Sequence, residues 1–511
     1  MEFSQRKVGI IFSYANIALK TIINLIYTPI MLRLLGKSEY GIYSLCMSFI
    51  SYLSLLNMGF SITYVRYYTQ LKERKGNTSV SKLNGMFLCI FLFIAFLVLI
   101  FGTILIVNAK DVLGSKITSS EYHLTKVLMT LMVINLSFTM VGSVFNSLIT
   151  ANERYFFQQL LLIIGTISSP IVTLPLLIFG AGSIGLVCVT TIINFITVIV
   201  NAVYCLRNLR IKFEFGDFDF VLIKDMGGFT FFIFLQSIMD QLNWEIGKFL
   251  LARFQGSAAI AIYTVGAQLN SYYMVMSCAI SSVFTPQINR MVANQSTNEE
   301  ISNLFIRISR IQFIVVAFIL TYFIFFGRFF IRFWAGNGYD NSYYVALLLM
   351  IPITIALTQG LGLDILRAKK KHAWQMVINL GTCILNLLIS IPLCKRYAEI
   401  GTAFGTFIGT FLIVVIIQNI YFYRVGEIDI PRYAKEMFDF SKSLIIPLVL
   451  GIMLAFYVHM NNFFLYAFTS MIYFGVYAIS IWKFGMNDYE KGLFLKPAMK
   501  LLRRNEQWDI T

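Results

Sequence analysis

Long apolar stretches separated by short polar breaks run from one end of the chain to the other. Each stretch is roughly 20 or more residues long, enough to cross a hydrocarbon layer about 30 Å thick. Backbone groups in lipid must be hydrogen-bonded within the segment, so these stretches are predicted to be helices. The predicted spans are 8–34, 40–68, 83–107, 124–149, 157–179, 183–206, 226–252, 257–288, 303–327, 343–366, 374–394, 400–422, 441–459 and 463–482. The pattern predicts an all-α polytopic membrane protein with about fourteen transmembrane helices.

The chain carries a weak internal repeat. The hairpin LLGKSEYGIYSL (34–45) aligns with GSAAIAIYTV (256–265), with Gly36 on Gly256. Two later turns align at nearly the same offset: 150–159 with 367–376, and 184–185 with 400–401. We therefore predict two pseudo-repeated six-helix lobes, 1–210 and 211–425, followed by two extra transmembrane helices and a basic cytoplasmic tail in 426–511.

The repeat also bears on function. Six helices is an even number, so both lobes start on the same side of the membrane and the repeat is parallel. Repeats of this kind are typical of transporters, whose sites lie near the membrane midplane where the repeats meet. The alternative is a duplication that serves packing alone.

Composition and charge narrow the class of protein. Hydrophobic residues make up 58% of the chain and charged residues only 13%, which excludes a soluble globule. The net charge is +16, and with a cytoplasmic N-terminus most Lys and Arg fall on the cytoplasmic side. Basic loops at 71–75 and 367–372 and the tail at 500–504 are expected to lie beside anionic lipid headgroups. We therefore predict membrane lipids as partners and no nucleic acid, with both termini cytoplasmic.

Nothing in the sequence indicates a metal site or an enzyme active site. The seven cysteines lack the spacing of a disulfide framework or a zinc site. His123, His372 and His459 stand alone near span ends. No cofactor is predicted, apart from a coupling proton or Na⁺ considered below.

Lys20 lies near the middle of the first predicted span, and the seventh predicted span carries Asp240, Glu245 and Lys248. Each costs about 2.5–3.5 kcal/mol at the bilayer centre, so they must face one another or a wet cavity. Lys20 and Asp240 are 220 residues apart, the same offset as the hairpin glycines. We predict a water-filled cleft between the first and seventh spans. Its predicted lining is Lys20, Asp240, Glu245 and Lys248, with Asn16, Gln236 and Asn243 nearby. The alternative is a buried ion-pair cluster that locks the halves together.

Other charges have local explanations. Glu245 and Lys248 are three residues apart and are predicted to pair on one helix face. Asp364 and Arg367 have the same spacing near an inner span end and are predicted to pair at the interface. Arg66, near the inner end of the second span, either snorkels to the interface or reaches a substrate headgroup.

Three motifs carry a family resemblance: LGKSEYGIYSL (35–45), NMGF (57–60) and AGSIGL (181–186). With them the chain resembles Wzx-type polysaccharide flippases of the multidrug/oligosaccharidyl-lipid/polysaccharide exporter superfamily. The resemblance implies a V-shaped pair of lobes that opens alternately to each side of a bacterial cytoplasmic membrane. It implies transport of undecaprenyl-diphosphate-linked oligosaccharide to the outer leaflet for capsule or exopolysaccharide. Polysaccharide polymerase and glycosyltransferases are the implied partners.

The resemblance also suggests roles for the charges. Family members are expected to have a cationic cavity, which matches Lys20 and, with Lys248 and Arg66, gives the predicted substrate-binding set. Asp240 or Glu245 is expected to bind the coupling H⁺ or Na⁺. These two carboxylates would not be expected in a purely cationic binding site for a diphosphate. The eighth span (257–288) also carries no charge in its predicted transmembrane core.

Two other functions stay open. A cation-coupled multidrug exporter of the same superfamily would use a cavity carboxylate to bind cationic drugs. A non-transport component of polysaccharide assembly, a polymerase or a scaffold, is the second alternative. A polymerase would need catalytic residues on sizeable loops, and the breaks here are short, with no DxD motif.

Overall fold

A computed structural model describes residues 5–495 except 58, 76, 115, 217–219, 372, 459–461 and 494. Within these ranges the regular elements are all helices, so the predicted all-α class is confirmed. The helices are α1 (Gln5–Ser54), α2 (Phe60–Lys75), α3 (Asn77–Val107), α4 (Ala109–Leu113), α5 (Ser119–Ala151), α6 (Tyr155–Ile178), α7 (Gly182–Val203), α8 (Phe220–Phe254), α9 (Ser257–Ala293), α10 (Asn298–Trp334), α11 (Asn341–Thr358), α12 (Gly360–Ala368), α13 (Ala373–Gly409), α14 (Gln418–Arg424), α15 (Ile430–Ser441), α16 (Ile445–Tyr457) and α17 (Phe463–Ser480).

Ten helical stretches of the described chain are long and apolar enough to cross a membrane. Two of them, Ala15–Lys72 and Trp374–Arg424, each cover two predicted spans. α1 is broken at Gly36, and α13 at Tyr397 and Ala398, where the backbone leaves helical geometry. The predicted spans on α8 and α9 are not among the ten, and the exact number of crossings stays a prediction.

Two predicted spans are interrupted. Within the predicted span 40–68, helix α1 ends at Ser54. A single helical turn at Leu55–Asn57 then precedes α2. Gly59, with φ of 70°, supplies the left-handed conformation that this bend requires. The span 343–366 is divided between α11 and α12 at Gln359. The Gln359 side-chain amide donates to Asn419 Oδ1 at 2.8 Å.

The backbone supports the internal repeat. Four pairs of residues with positive φ recur at separations of 216 to 220 residues, close to the offsets of the sequence alignment. These pairs are Gly36 with Gly256, Glu153 with Lys370, Gly182 with Ala398, and Arg210 with Glu427. Positive φ is uncommon outside glycine, so four coincidences at offsets within a few residues of one another indicate equivalent turns in the two halves.

Contacts divide the described residues into two compact units. The first comprises residues within 1–264 and 390–402, and the second those within 265–389 and 403–511. The core of the first unit is built by α2, α3 and α5 around Tyr64, Phe87 and Phe91. In the second unit, α10, α12 and α14 meet around Phe305, Leu361 and Phe422. The lobe boundaries predicted from the repeat, 1–210 and 211–425, remain a prediction.

Buried ion pairs connect the C-terminal helices to α10 within the second unit. Arg310 of α10 donates to Glu490 Oε1 at 2.6 Å and to Glu436 Oε2 at 2.8 Å. Glu490 is fully buried, and Arg310 also donates to the Gly485 carbonyl at 2.8 Å. The arginine thus fixes both α15 and the segment after α17.

Candidate functional site

The predicted pair on α8 is confirmed. Lys248 Nζ lies 2.7 Å from Glu245 Oε2, and the two side chains are only 12% and 19% exposed. Ser48, on the second half of α1, donates to the same carboxylate oxygen at 2.5 Å. A half-buried ion pair therefore joins α8 to α1. Pairing offsets part of the cost of desolvating the two charges.

Asp240 lies about one turn earlier on α8 and has a different environment. Its side chain is exposed, and Gln236 Nε2 donates to its Oδ1 at 3.1 Å. The phenol of Tyr52 donates to the nearby Gln241 carbonyl at 3.4 Å, a second contact from α1 to this helix. α8 thus carries one largely buried carboxylate paired with a lysine and one exposed carboxylate that accepts from a glutamine.

Lys20 sits on the first half of α1 with an exposed side chain. Over the described ranges, it forms no salt bridge, so the structure does not join it to Asp240. An exposed ammonium in the middle of an apolar helix is costly unless it meets water or an anion. This placement agrees with a hydrated crevice, although the crevice itself stays a prediction.

The remaining predicted residues are spread over several helices. Asn16, one turn before Lys20, accepts a long hydrogen bond from the Thr166 hydroxyl at 3.5 Å. Asn243 is half-buried on α8. Arg66 is exposed on α2, at a distance along the chain from the α8 charges, and its role stays open.

Asp364 and Arg367 form the predicted pair at 3.2 Å. Asp364 also accepts a hydrogen bond of 2.7 Å from the Thr285 hydroxyl of α9. The carboxylate is therefore held between α12 and α9 within the second unit, and the structure gives it a structural partner on each side.

The charge of the basic loop at 367–372 is partly neutralised by Glu427, a contact that the sequence pattern does not predict. Lys371 Nζ lies 3.0 Å from Glu427 Oε1, and Lys369 Nζ lies 3.7 Å from Glu427 Oε2. The hydrogen bond from Lys371 and that from Asn298 hold the pKa of Glu427 below its usual 4.5. Burial lowers the pKa of Lys369. His372 lies outside the described residues.

A polar junction near the two repeated hairpins was also missed. Glu121, at the start of α5, accepts hydrogen bonds from the hydroxyls of Ser38 and Ser257, the latter at 2.5 Å. The same carboxylate completes a capping box with Thr118. The Thr-x-x-Glu spacing signals the cap in the sequence. The two serine partners are distant in sequence and leave no local signal.

No group of three or more His, Cys, Asp or Glu side chains in the described residues is arranged to hold a metal ion. The seven cysteines are free thiols.

The fold is that of an all-α polytopic membrane protein, and it is shared by solved transporter structures. It is similar to the lipid II flippase MurJ in an inward-closed conformation, with a TM-score of 0.73 and 14% identity over 96% of this chain and 100% of that one. It is also similar to an inward-facing multidrug transporter of the MATE family, with a TM-score of 0.66 and 12% identity over 81% of this chain and 96% of the other. At such identities the likeness shows the fold.

The family follows from the sequence comparison. The chain belongs to the polysaccharide biosynthesis protein family, whose model matches residues 7–292. It is also 19% identical to a Shigella flexneri protein named for O-antigen transport, over 82% of this chain and 98% of that protein. The predicted resemblance to Wzx-type flippases is confirmed at this level.

Proposed function

We propose that the protein is a flippase that carries an undecaprenyl-diphosphate-linked oligosaccharide from the cytoplasmic to the outer leaflet of a bacterial cytoplasmic membrane. The observation that carries this proposal is the family match over 7–292. That range contains Lys20, Arg66, Asp240, Glu245 and Lys248, the charges predicted to serve transport. The oligosaccharide would supply capsule, exopolysaccharide or a related surface polymer.

The physical task is to move a charged, hydroxylated headgroup through hydrocarbon. Its diphosphate and hydroxyls would lose their hydration in lipid, which is prohibitively costly. The exposed ammonium of Lys20, and Arg66 if it faces the same space, would replace part of that hydration. The polyprenyl chain can stay in lipid, because it is as apolar as its surroundings.

The ion pair on α8 suggests how transport is coupled. Lys248 is held by Glu245 at 2.7 Å, so its charge is already compensated. A proton or Na⁺ on Glu245 would weaken that pair and free the ammonium for the diphosphate. Asp240, exposed one turn away, is the second candidate for the coupling ion. The cation would then bind in the step that also recruits the substrate.

The setting of this function is part of the proposal. The excess of Lys and Arg on one side supports cytoplasmic termini. The family supports a pathway in which glycosyltransferases supply the lipid-linked glycan and a polymerase consumes it. The chain itself is proposed to transport and not to catalyse a reaction.

A test uses the purified chain in lipid vesicles containing a fluorescent undecaprenyl-diphosphate oligosaccharide. We expect the protein to expose inner-leaflet probe to a membrane-impermeant quencher, with Lys20→Gln slowing this at least tenfold. Lys110→Gln, a change outside the long spans, is the matched control and should transport normally. Vesicles in which the wild-type protein moves no probe would contradict the proposal.

The likeness to the MATE transporter favours drug export as the second candidate. The same vesicles can be loaded with a cationic dye. Dye export driven by a proton or Na⁺ gradient, without movement of the lipid-linked probe, would replace the flippase proposal with this one.

A further inference from the structure

A small pocket lies within the first unit, between the second half of α1, α5 and α7. Its volume is about 270 Å³. Tyr43 and Met47 line one wall, and buried Met132, Leu136 and Val187 form part of the apolar lining. The polar lining residues come from the middle of α5 and α7: Asn135, Thr139, Thr190 and Asn194.

The two asparagines connect the helices. Asn194 Nδ2 donates to Asn135 Oδ1 at 3.0 Å. This bond leaves the Asn135 amide group as a donor and the Asn194 amide oxygen as an acceptor, with no further partner in the described parts of the chain. The pocket therefore presents both kinds of hydrogen-bonding group side by side.

The two threonines add acceptors. The Thr139 hydroxyl donates to the Asn135 carbonyl, and the Thr190 hydroxyl donates to the Val187 carbonyl, each at 2.9 Å. Since these protons are used within the helices, the hydroxyl oxygens can accept from a ligand. The arrangement offers several acceptors around one pair of amide donors.

The open side of the pocket needs a polar occupant. Thr139 and Asn194 are exposed, and both lie within helices apolar enough to cross a membrane. The Asn194 amide oxygen has no partner among the described residues, and burying a polar group in hydrocarbon without a hydrogen bond costs about 2–7 kcal/mol. Water or a hydroxylated ligand removes that cost, whereas lipid does not.

The lining contains no Asp, Glu, Lys, Arg or His. A diphosphate would find no cation here, and a cationic drug would find no carboxylate. A sugar ring fits better, because its hydroxyls both donate and accept and its C–H face packs on aromatic and apolar side chains. The volume, below the about 300–1,000 Å³ of drug-sized pockets, suits a single ring.

We propose that this pocket is a sugar-recognition site that binds one ring of the transported glycan, with Asn135, Asn194 and Thr190 as its hydrogen-bonding groups. The inference rests on the proposed flippase function and adds to it a place for the glycan that is separate from the charged residues of α1 and α8. It assigns selectivity for the sugar to the first unit.

The test compares two probes on the full-length protein in nanodiscs: undecaprenyl diphosphate, and undecaprenyl diphosphate carrying N-acetylglucosamine. We expect the sugar to tighten binding to the wild-type protein. Thr190→Val and Asn194→Leu should each reduce that gain by about threefold to tenfold, the equivalent of one hydrogen bond. Both variants should bind undecaprenyl diphosphate as the wild type does.

Thr191→Val is the matched control, because Thr191 follows Thr190, donates to the same Val187 carbonyl at 2.7 Å and does not line the pocket. It should keep the full gain. If the wild-type protein binds undecaprenyl diphosphate but the sugar adds nothing, or if Thr190→Val keeps the gain, the inference is overturned. If Thr190→Val or Asn194→Leu changes only the Na⁺ dependence of binding, the inference is also overturned and the pocket is a cation site instead. Failure of the wild-type protein to bind either probe would count against the flippase proposal itself.

Discussion

The hydroxyl oxygens of Ser38 and Ser257 lie 3.3 Å apart, although 219 residues separate the two serines in the chain. Each follows closely on one of the repeated glycines, Gly36 and Gly256. Both donate to the carboxylate of Glu121. The two equivalent hairpins thus meet each other and share one acceptor, which ties the beginning of α9 to α1.

Glu121→Gln is predicted to weaken this junction. A glutamine keeps the capping geometry but replaces a charged acceptor, and hydrogen bonds to charged groups contribute about 1.5–3 kcal/mol. We expect a lower melting temperature of the protein in detergent and faster amide exchange at the start of α9.

Glu300→Gln is the matched control for that change. Glu300 forms the same capping box with Thr297 at the start of α10, without the two serine donors. It should lower the melting temperature clearly less. Equal effects of the two variants would mean that only the cap matters.

Gly36→Ala is predicted to destabilise the hairpin through its backbone alone. Among the residues that the structure describes, no atom lies within 4 Å of a Cβ placed at this position, but φ is +73°. With ψ of 174°, this conformation is essentially restricted to glycine, and an L-residue there costs about 1–3 kcal/mol. Gly475→Ala is the control, because Gly475 has equal space but lies in helix α17, where alanine is favoured. Thermal unfolding should show a loss for the first variant and a small gain for the second.

The Glu245–Lys248 pair is predicted to be coupled energetically. Removing one partner leaves a half-buried charge uncompensated, which costs up to about 3–5 kcal/mol when burial is complete. Glu245→Gln and Lys248→Met should each destabilise the protein, and the double variant should be more stable than the sum of the two losses predicts. Equilibrium unfolding of all four proteins measures this coupling.

The exposed pair Asp439–Lys442, with the same spacing and a distance of 2.6 Å, is the control for that cycle. Surface pairs of this kind contribute little. No measurable coupling is expected there. Additive effects at Glu245 and Lys248 would contradict a half-buried pair.

Stability is predicted to fall in acid partly through Glu427. Its pKa in the folded protein is below 4.5, chiefly because Lys371 donates to the carboxylate. The stabilisation is therefore complete above pH 4.5 and is lost as the pH falls through the folded-state pKa. Glu427→Gln should flatten the pH dependence of unfolding in this window relative to the wild type. An unchanged slope would exclude the contact as its source.

The sequence predicts local features of this protein well. Hydrophobic runs locate the helices because lipid demands internal backbone bonding. The pairs Glu245–Lys248 and Asp364–Arg367 follow from helical spacing. The echo between Gly36 and Gly256 anticipates two left-handed turns, because glycine adopts positive φ at little cost.

Contacts between distant helices could not be predicted in the same way. Arg310 and Glu490 are 180 residues apart, and no periodicity relates them. The same holds for Ser48 with Glu245 and for Asn135 with Asn194, which meet only once the helices are packed. A single helix pattern fixes which residues share a face, but it leaves the partner of that face undetermined.

The proposed function requires that Lys20 faces a hydrated space that receives the substrate, and labelling of thiols at this depth of α1 measures whether it does. In a variant without the native cysteines, Lys20→Cys and Ile22→Cys place thiols at similar depth on α1, where both native side chains are exposed. We expect a membrane-impermeant charged reagent to label position 20 and spare position 22, with undecaprenyl diphosphate protecting position 20. If the thiol at position 20 is as unreactive as that at position 22 in every condition, Lys20 does not face such a space.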